Sequence, residues 1–152
     1  MKSSGLRRMI QFHFALILLL LAAAAAAQVQ KAPTTDPTEE AALNAVLDRL
    51  PEAAPRPRWN TTSDLCSGAA ADNRIDLYGD PSSKLAIECD CSDQNNTVCH
   101  ITRLKISDVN MAGNIPEELR NLTRLTHLNL SKNLLTGSIP LFIGELTSMQ
   151  YM

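Results

Sequence analysis

From Val98 onward the sequence returns on itself every 24 residues, and no other feature restricts the fold as much. Leu122, Leu125, Leu128, Leu130, Leu135, Gly137, Ile139, Pro140, Ile143 and Leu146 stand one period after Val98, Ile101, Leu104, Ile106, Met111, Gly113, Ile115, Pro116, Leu119 and Leu122, and each pair matches in kind. Leu146, Met149 and Met152 restart the pattern. A unit this short cannot bury its own apolar side, so the units are expected to stack as coils of a solenoid, each hiding its neighbour's apolar face. Within a coil, alternation on a short strand turns Leu128 and Leu130 inward and His127 and Asn129 outward. Asn133 is expected to turn the chain, its amide bonding backbone groups that have no strand partner. Gly137 then allows a tight bend, and Ile139-Pro140 an extended stretch on the far side.

The outward strand positions are the candidate contact surface, because stacked strands form a concave sheet. They are Arg103, Lys105 and Ser107 in the first coil, His127, Asn129 and Ser131 in the second, and Gln150 and Tyr151 at the start of a third. Their charges are mixed and one residue is aromatic, so they single out no ligand class. The whole chain carries 14 Lys and Arg against 16 Asp and Glu, without the basic excess of a nucleic-acid binder. At 152 residues it has room for one ordinary domain and none for a kinase or a TIM barrel. No Ser/His/Asp or paired-carboxylate spacing suggests catalysis, so neither catalytic residues nor a cofactor are expected.

The N-terminus sets the compartment. Lys2, Arg7 and Arg8 precede an apolar run from Phe14 to Leu21 and six alanines, with Ala25 and Ala27 suited to cleavage. This is the three-part pattern of a signal peptide over residues 1–27. The run Phe14 to Ala27 is short of the roughly 20 residues a membrane-spanning helix needs, and no second apolar stretch follows. The chain is therefore expected in the secretory pathway and outside the cell, with no membrane span of its own. There the four sequons, at Asn60, Asn95, Asn121 and Asn129, become candidate glycosylation sites.

Residues 28–35 read as a disordered polar leader and 36–97 as a cap for the coils, which occupy 98–152. Asp36-Pro37-Thr38-Glu39 is a helix start: Asp36 can cap, Pro37 suits the first position, and Glu39 stands where a capping box wants it. Leu43, Val46, Leu47 and Leu50 make one apolar stripe on a helix of about 13 residues, stopped by Pro51, Pro55 and Pro57. The stretch from Trp59 to Cys99 has little periodicity and holds Cys66, Cys89, Cys91 and Cys99. A region so poor in apolar residues needs staples, and in a secreted chain these cysteines are expected to form disulfides. Pairing Cys89 with Cys91 would close a strained ring across one residue. Of the two remaining arrangements, Cys66–Cys89 with Cys91–Cys99 is favoured over the crossed one. A zinc site from Cys89, Cys91, Cys99 and His100 has no standard spacing, so no metal is expected.

The order L-x-x-L-x-x-L-x-L-x-x-N-x-L-x-G-x-I-P, met in full by Leu122 to Pro140, resembles the plant-type leucine-rich repeat. The preceding unit departs once, with Val109 where Asn is the rule. The helix, Trp59-Asn60 and the cysteine cluster resemble the N-terminal cap of plant leucine-rich-repeat receptor-like serine/threonine kinases. Cys89-Asp90-Cys91-Ser92 with Thr97-Val98-Cys99-His100-Ile101-Thr102 resembles the group that also carries a malectin-like domain. The resemblance implies an α/β leucine-rich-repeat solenoid: a short capping helix, a disulfide-stapled cap, two complete repeats and the start of a third. It implies a recognition module, expected to bind a protein, a peptide or a cell-wall carbohydrate, or to pair with another leucine-rich-repeat receptor. In full-length receptors of this kind the module is the outer part of a plasma-membrane protein. The sequence has no Gly-rich phosphate loop and no HRD or DFG motif, so the reading here is a truncated form that is no enzyme. The alternative is a small free-standing secreted repeat protein, acting as inhibitor or decoy.

Overall fold

The computed structural model describes His13 and residues 32–55, 64–67 and 79–152. The signal peptide expected at 1–27, apart from His13, and Trp59 and the Asn60 sequon lie outside the described residues. The elements named below belong to the unit Ala32–Met152.

The chain enters on a short strand, β1 (Thr34–Thr35), which pairs in parallel with Val98 and Cys99. The leader expected to be disordered through residue 35 is therefore ordered at its last two residues. Thr35 is buried, with its hydroxyl hydrogen-bonded to Asp64 Oδ1 and accepting from the Cys66 N–H at 2.9 Å. Helix α1 (Pro37–Leu47) follows at once. Asp36 caps it, its carboxylate accepting from the N–H groups of Thr38 and Glu39 at 2.9 and 3.2 Å. The rest of the expected capping box is not built. The Asp36 N–H donates to the Cys99 carbonyl instead, and the Glu39 side chain turns inward. Leu43 and Val46 are fully buried and Leu47 and Leu50 partly, so the predicted stripe is the face that packs. It lies against the 3-10 helix Glu117–Asn121 of the first coil.

The cap holds a long hairpin that periodicity did not reveal: β2 (Leu85–Asp93) runs antiparallel to β3 (Val98–Ile106). Gln94, Asn95 and Asn96 form its turn, all three left-handed, a conformation that asparagine tolerates better than most residues. β2 thus covers the cap-side edge of β3 and is itself the edge strand of the sheet. On the other side β3 pairs in parallel with β5 (His127–Asn129), joining Arg103 to His127, Leu104 to Leu128 and Lys105 to Asn129. Each pair is one repeat apart. At the far side of the coils β4 (Ala112–Gly113) pairs with β6 (Leu134–Leu135). Beyond them the chain forms 3-10 turns, Glu117–Asn121 and Leu141–Glu145, rather than α-helices. This is a leucine-rich-repeat fold of mixed sheet with little helix.

The repeat positions build the core. Ile101, Leu104, Ile106, Met111, Leu119, Leu122, Leu125, Leu128 and Leu146 are buried. Phe142 joins them from a position the period does not mark, with the Arg120 guanidinium 5.8 Å from its ring centre. Leu130, Leu135 and Ile143 are half-buried and Ile139 is exposed, since no following coil lies on them among the described residues. The bends fall where glycine was expected, with Gly113 at φ 85° and Gly137 at φ 81°. A Cβ at Gly137 would also lie 2.6 Å from Asn114 Oδ1, whereas one at Gly113 would meet nothing within 4 Å. Gly113→Ala should therefore lose about 1 kcal/mol, the backbone part alone. Gly137→Ala should lose more, about 2 kcal/mol, with part recovered by Asn114→Ala in the same chain. Urea titration of the four proteins measures this, and equal losses at the two glycines would contradict it.

Candidate functional site

The concave face is set by the parallel ladder. Because β3 and β5 pair one period apart and His127 bridges to Tyr151, Arg103, His127 and Tyr151 stand in one row across three coils. The His127 and Tyr151 rings lie 4.6 Å apart, tilted by 31°. His127 Nδ1 is 2.8 Å from the Thr126 hydroxyl. Burial first, and the Arg103 charge second, hold its imidazole below the usual range. Asn129 is half-buried, its Oδ1 accepting from the Ser131 N–H at 3.0 Å, and Ser131 is exposed.

The first coil does not contribute as the sequence suggested. Lys105 is buried, and its Nζ donates to the Asp80 carbonyl at 2.8 Å. Ser107 is buried too, its N–H donating to the Lys84 carbonyl at 2.8 Å. Arg103 is half-buried, its Nε 3.4 Å from Glu88 Oε2. All three are met by the cap, by the segment before β2 or by β2 itself. An outward strand position is solvent-facing only where nothing packs against it, and the sequence had no signal for β2 or for the segment before it that does. The open face is therefore that of the second coil and the start of the third: His127, Asn129, Ser131 and Tyr151, the last 65% exposed.

The cysteines form two disulfides, Cys66–Cys89 and Cys91–Cys99. The first ties residues 64–67 to β2, and the second joins β2 to β3. Of the sequons, Asn95 lies in the hairpin turn and Asn121 at the end of a 3-10 helix, both exposed. Asn129 stands on the open concave face itself.

A second feature sits where the strands begin. His100, Arg124 and Ser148, each one repeat after the last, line a polar groove of about 340 Å³ with Asp90 and Asp93. Behind it Glu39 is buried from α1, with Oε1 2.9 Å from His100 Nδ1 and Oε2 accepting from the Ile101 N–H at 2.6 Å. On the groove side His100 Nε2 is 3.4 Å from Asp93 Oδ2, which also accepts from Arg124 at 3.1 Å. Sequence reading missed this constellation, since a Glu three residues after a helix cap is most simply read as part of that cap. Among the described residues no cluster of His, Cys, Asp and Glu could hold a metal ion, and no helix is long and apolar enough to cross a membrane.

The leucine-rich-repeat family model matches residues 124–146. A probable LRR receptor-like serine/threonine-protein kinase of Arabidopsis thaliana is 45% identical over 99 residues, 65% of this chain and 9% of that protein. A second Arabidopsis kinase of the same description is 44% identical over 61% of the chain, again 9% of its own length. The matched part is thus about a tenth of these relatives, and the matches do not single out the group with a malectin-like domain. Among solved structures, a plant ice-binding protein superposes loosely, with a TM-score of 0.45 at 21% identity, over 78% of this chain and 40% of that one.

Proposed function

We propose that this chain, a leucine-rich-repeat protein whose homologues are plant LRR receptor-like serine/threonine kinases, acts outside the cell as a recognition module that binds a protein or peptide partner. The observation that carries the reading is the division of the concave face. The cap meets the first coil, while the second and the start of the third present the adjoining His127 and Tyr151 rings beside Asn129 and Ser131. Two adjoining rings on the face of a sheet are the kind of anchor that protein interfaces use. The second chain of another leucine-rich-repeat receptor is a partner of this class.

The two disulfides fit an oxidising compartment. Residues 1–27 acting as a signal peptide, and glycans on Asn95 and Asn121, belong to the same reading. A glycan on Asn129 would cover part of the open face. The relatives' kinase activity lies outside the matched segment and is not assigned to this chain.

The test uses the secreted, oxidised chain and its binding to plant protoplast surfaces. Saturable binding is expected, weakened about tenfold or more by His127→Ala with Tyr151→Ala, as for the loss of an aromatic anchor. Glu117→Lys, on the 3-10 helix, should leave it unchanged. Absence of saturable binding, or loss with Glu117→Lys and not with the ring variants, would sink the reading.

A further inference from the structure

The recognition surface makes no use of the most deeply buried acid described. The Glu39 side chain is 2% exposed, and it accepts from the backbone of β3 with one oxygen while the other faces His100 Nδ1. His100 is itself only 16% exposed and opens on the polar groove through Nε2, which faces Asp93. The groups around the pair come from every neighbouring element. Asp36 is on its own helix start, Asp93 and Asp90 are on β2, and Arg124 reaches Asp93 from the second coil. Four carboxylates, Glu39 included, and one histidine thus stand at the joint between α1 and β3, with a single guanidinium at its rim.

Glu39 and His100 need a proton between them for every polar atom to be matched. With that proton, Glu39 Oε1 and His100 Nδ1 share a hydrogen bond, His100 Nε2–H faces Asp93, and Glu39 Oε2 keeps the Ile101 N–H. Without it, the buried Glu39 carboxylate bears the desolvation penalty and the bare His100 Nε2 faces the Asp93 carboxylate, acceptor against acceptor. We propose that Glu39 and His100, backed by Asp93, form a proton-operated clasp: uptake of one proton from the groove side locks the capping helix onto β3, so the cap closes more firmly as the surroundings turn acid. This regulation concerns the cap and holds whether or not the concave face binds a partner.

The sign is consistent. Burial lifts the Glu39 carboxyl above the usual range, more than the Ile101 N–H and His100 lower it, and Asp36 adds to the rise. The folded chain therefore binds more protons than the unfolded one between the ordinary carboxylate range and the raised value. Stability from this group grows as pH falls through that window and is lost as pH rises through it. His127, held below the usual imidazole range, works in the opposite sense. The readout is therefore the difference between two proteins at each pH.

Glu39→Gln keeps an oxygen for the Ile101 N–H and offers an N–H to His100 Nδ1, which makes it a fixed copy of the protonated clasp. Denaturant unfolding of the full oxidised chain from about pH 7.5 down into the ordinary carboxylate range, about pH 4, is the experiment. Glu39→Gln should be the more stable protein at the upper end, with the ratio of folding constants falling toward one by up to about tenfold per pH unit as the wild type takes up its proton. Hydrogen exchange at the Ile101 amide, corrected for intrinsic chemistry, should slow in acid for wild type and not for Glu39→Gln. A ratio that does not change with pH overturns the proposal. So does a Glu39→Gln protein that is less stable throughout or fails to fold, which would mark an ordinary ion pair. Ile101 exchange in the wild type that is indifferent to pH overturns it independently.

Discussion

Replacing Cys66 and Cys89 together by alanine is expected to destabilise the protein by about 3.4 kcal/mol, and replacing Cys91 and Cys99 by about 2.5 kcal/mol. Both figures follow from the loop-closure entropy of the unfolded chain for separations of 23 and 8 residues. The folded state widens the gap. Cys91 and Cys99 lie on β2 and β3, whose backbone ladder still joins them when the bridge is gone. Cys66 has no such second tie. Its N–H is bonded to the Thr35 hydroxyl and Asp64, so the first bridge holds the segment that in turn holds β1. Alanine suits all four sites, since Cys66 and Cys99 are buried and leave no room for a hydroxyl to find a partner. Thermal unfolding followed by far-ultraviolet circular dichroism should show a fall in Tm of about 10–15 °C for the first pair and less for the second. Equal falls, or a larger one for Cys91 and Cys99, would mean that the hairpin rather than residues 64–67 holds the cap.

The coils were readable in advance and the cap much less so, for a physical reason. In the coils one period repeats a single packing environment, so each Leu or Ile states its depth twice, and Ile101, Leu104, Leu125 and Leu128 are where the pattern puts them. The cap has each contact once. Asp36 and Pro37 announce their helix because a cap acts on residues two and three places away. Glu39 and His100 are 61 residues apart, and Thr35 and Asp64 29, so no local pattern records that they meet. The hairpin is an intermediate case. Leu85, Ala86 and Ile87 are all buried, which hides the alternation of a strand covered on both faces, and the turn Gln94-Asn95-Asn96 is its clearest trace. The site was legible to the same degree. The register of β3 and β5 placed His127, Asn129 and Tyr151 on one face as the period implies. Lys105 and Ser107 were lost to that face because the segment before β2, which meets them at the Asp80 and Lys84 carbonyls, carries no periodic signal in the sequence.

Asn133→Ala is expected to cost about 3 kcal/mol, as much as a large core truncation, although the residue is only half-buried. Its Oδ1 accepts from the N–H groups of both Val109 and Met111 at 3.2 Å, and its Nδ2 donates to the carbonyls of Ile106 and Leu130 at 2.6 and 2.9 Å. One amide therefore serves the turn of the first coil and the strand end of the second, and alanine leaves four backbone groups to find water at about 1 kcal/mol each, less what water returns. Asn133→Asp should be nearly as harmful at neutral pH, because a carboxylate keeps the two acceptor contacts but faces two carbonyls without a proton to give. Val109 tests the argument from the other side. It occupies the place where the repeat calls for asparagine, so a consensus argument would have Val109→Asn stabilise the chain. The structure gives the opposite expectation. Val109 is 4% exposed, and the element before its coil is the antiparallel β2 with its preceding segment, not a coil whose turn an amide could serve. The new amide would be buried without partners, at a loss of about 1–3 kcal/mol. Urea unfolding of the three variants decides the matter. A stabilised Val109→Asn would show that the first coil has a turn to be bonded, and that the cap joins the coils in some other way than through β2.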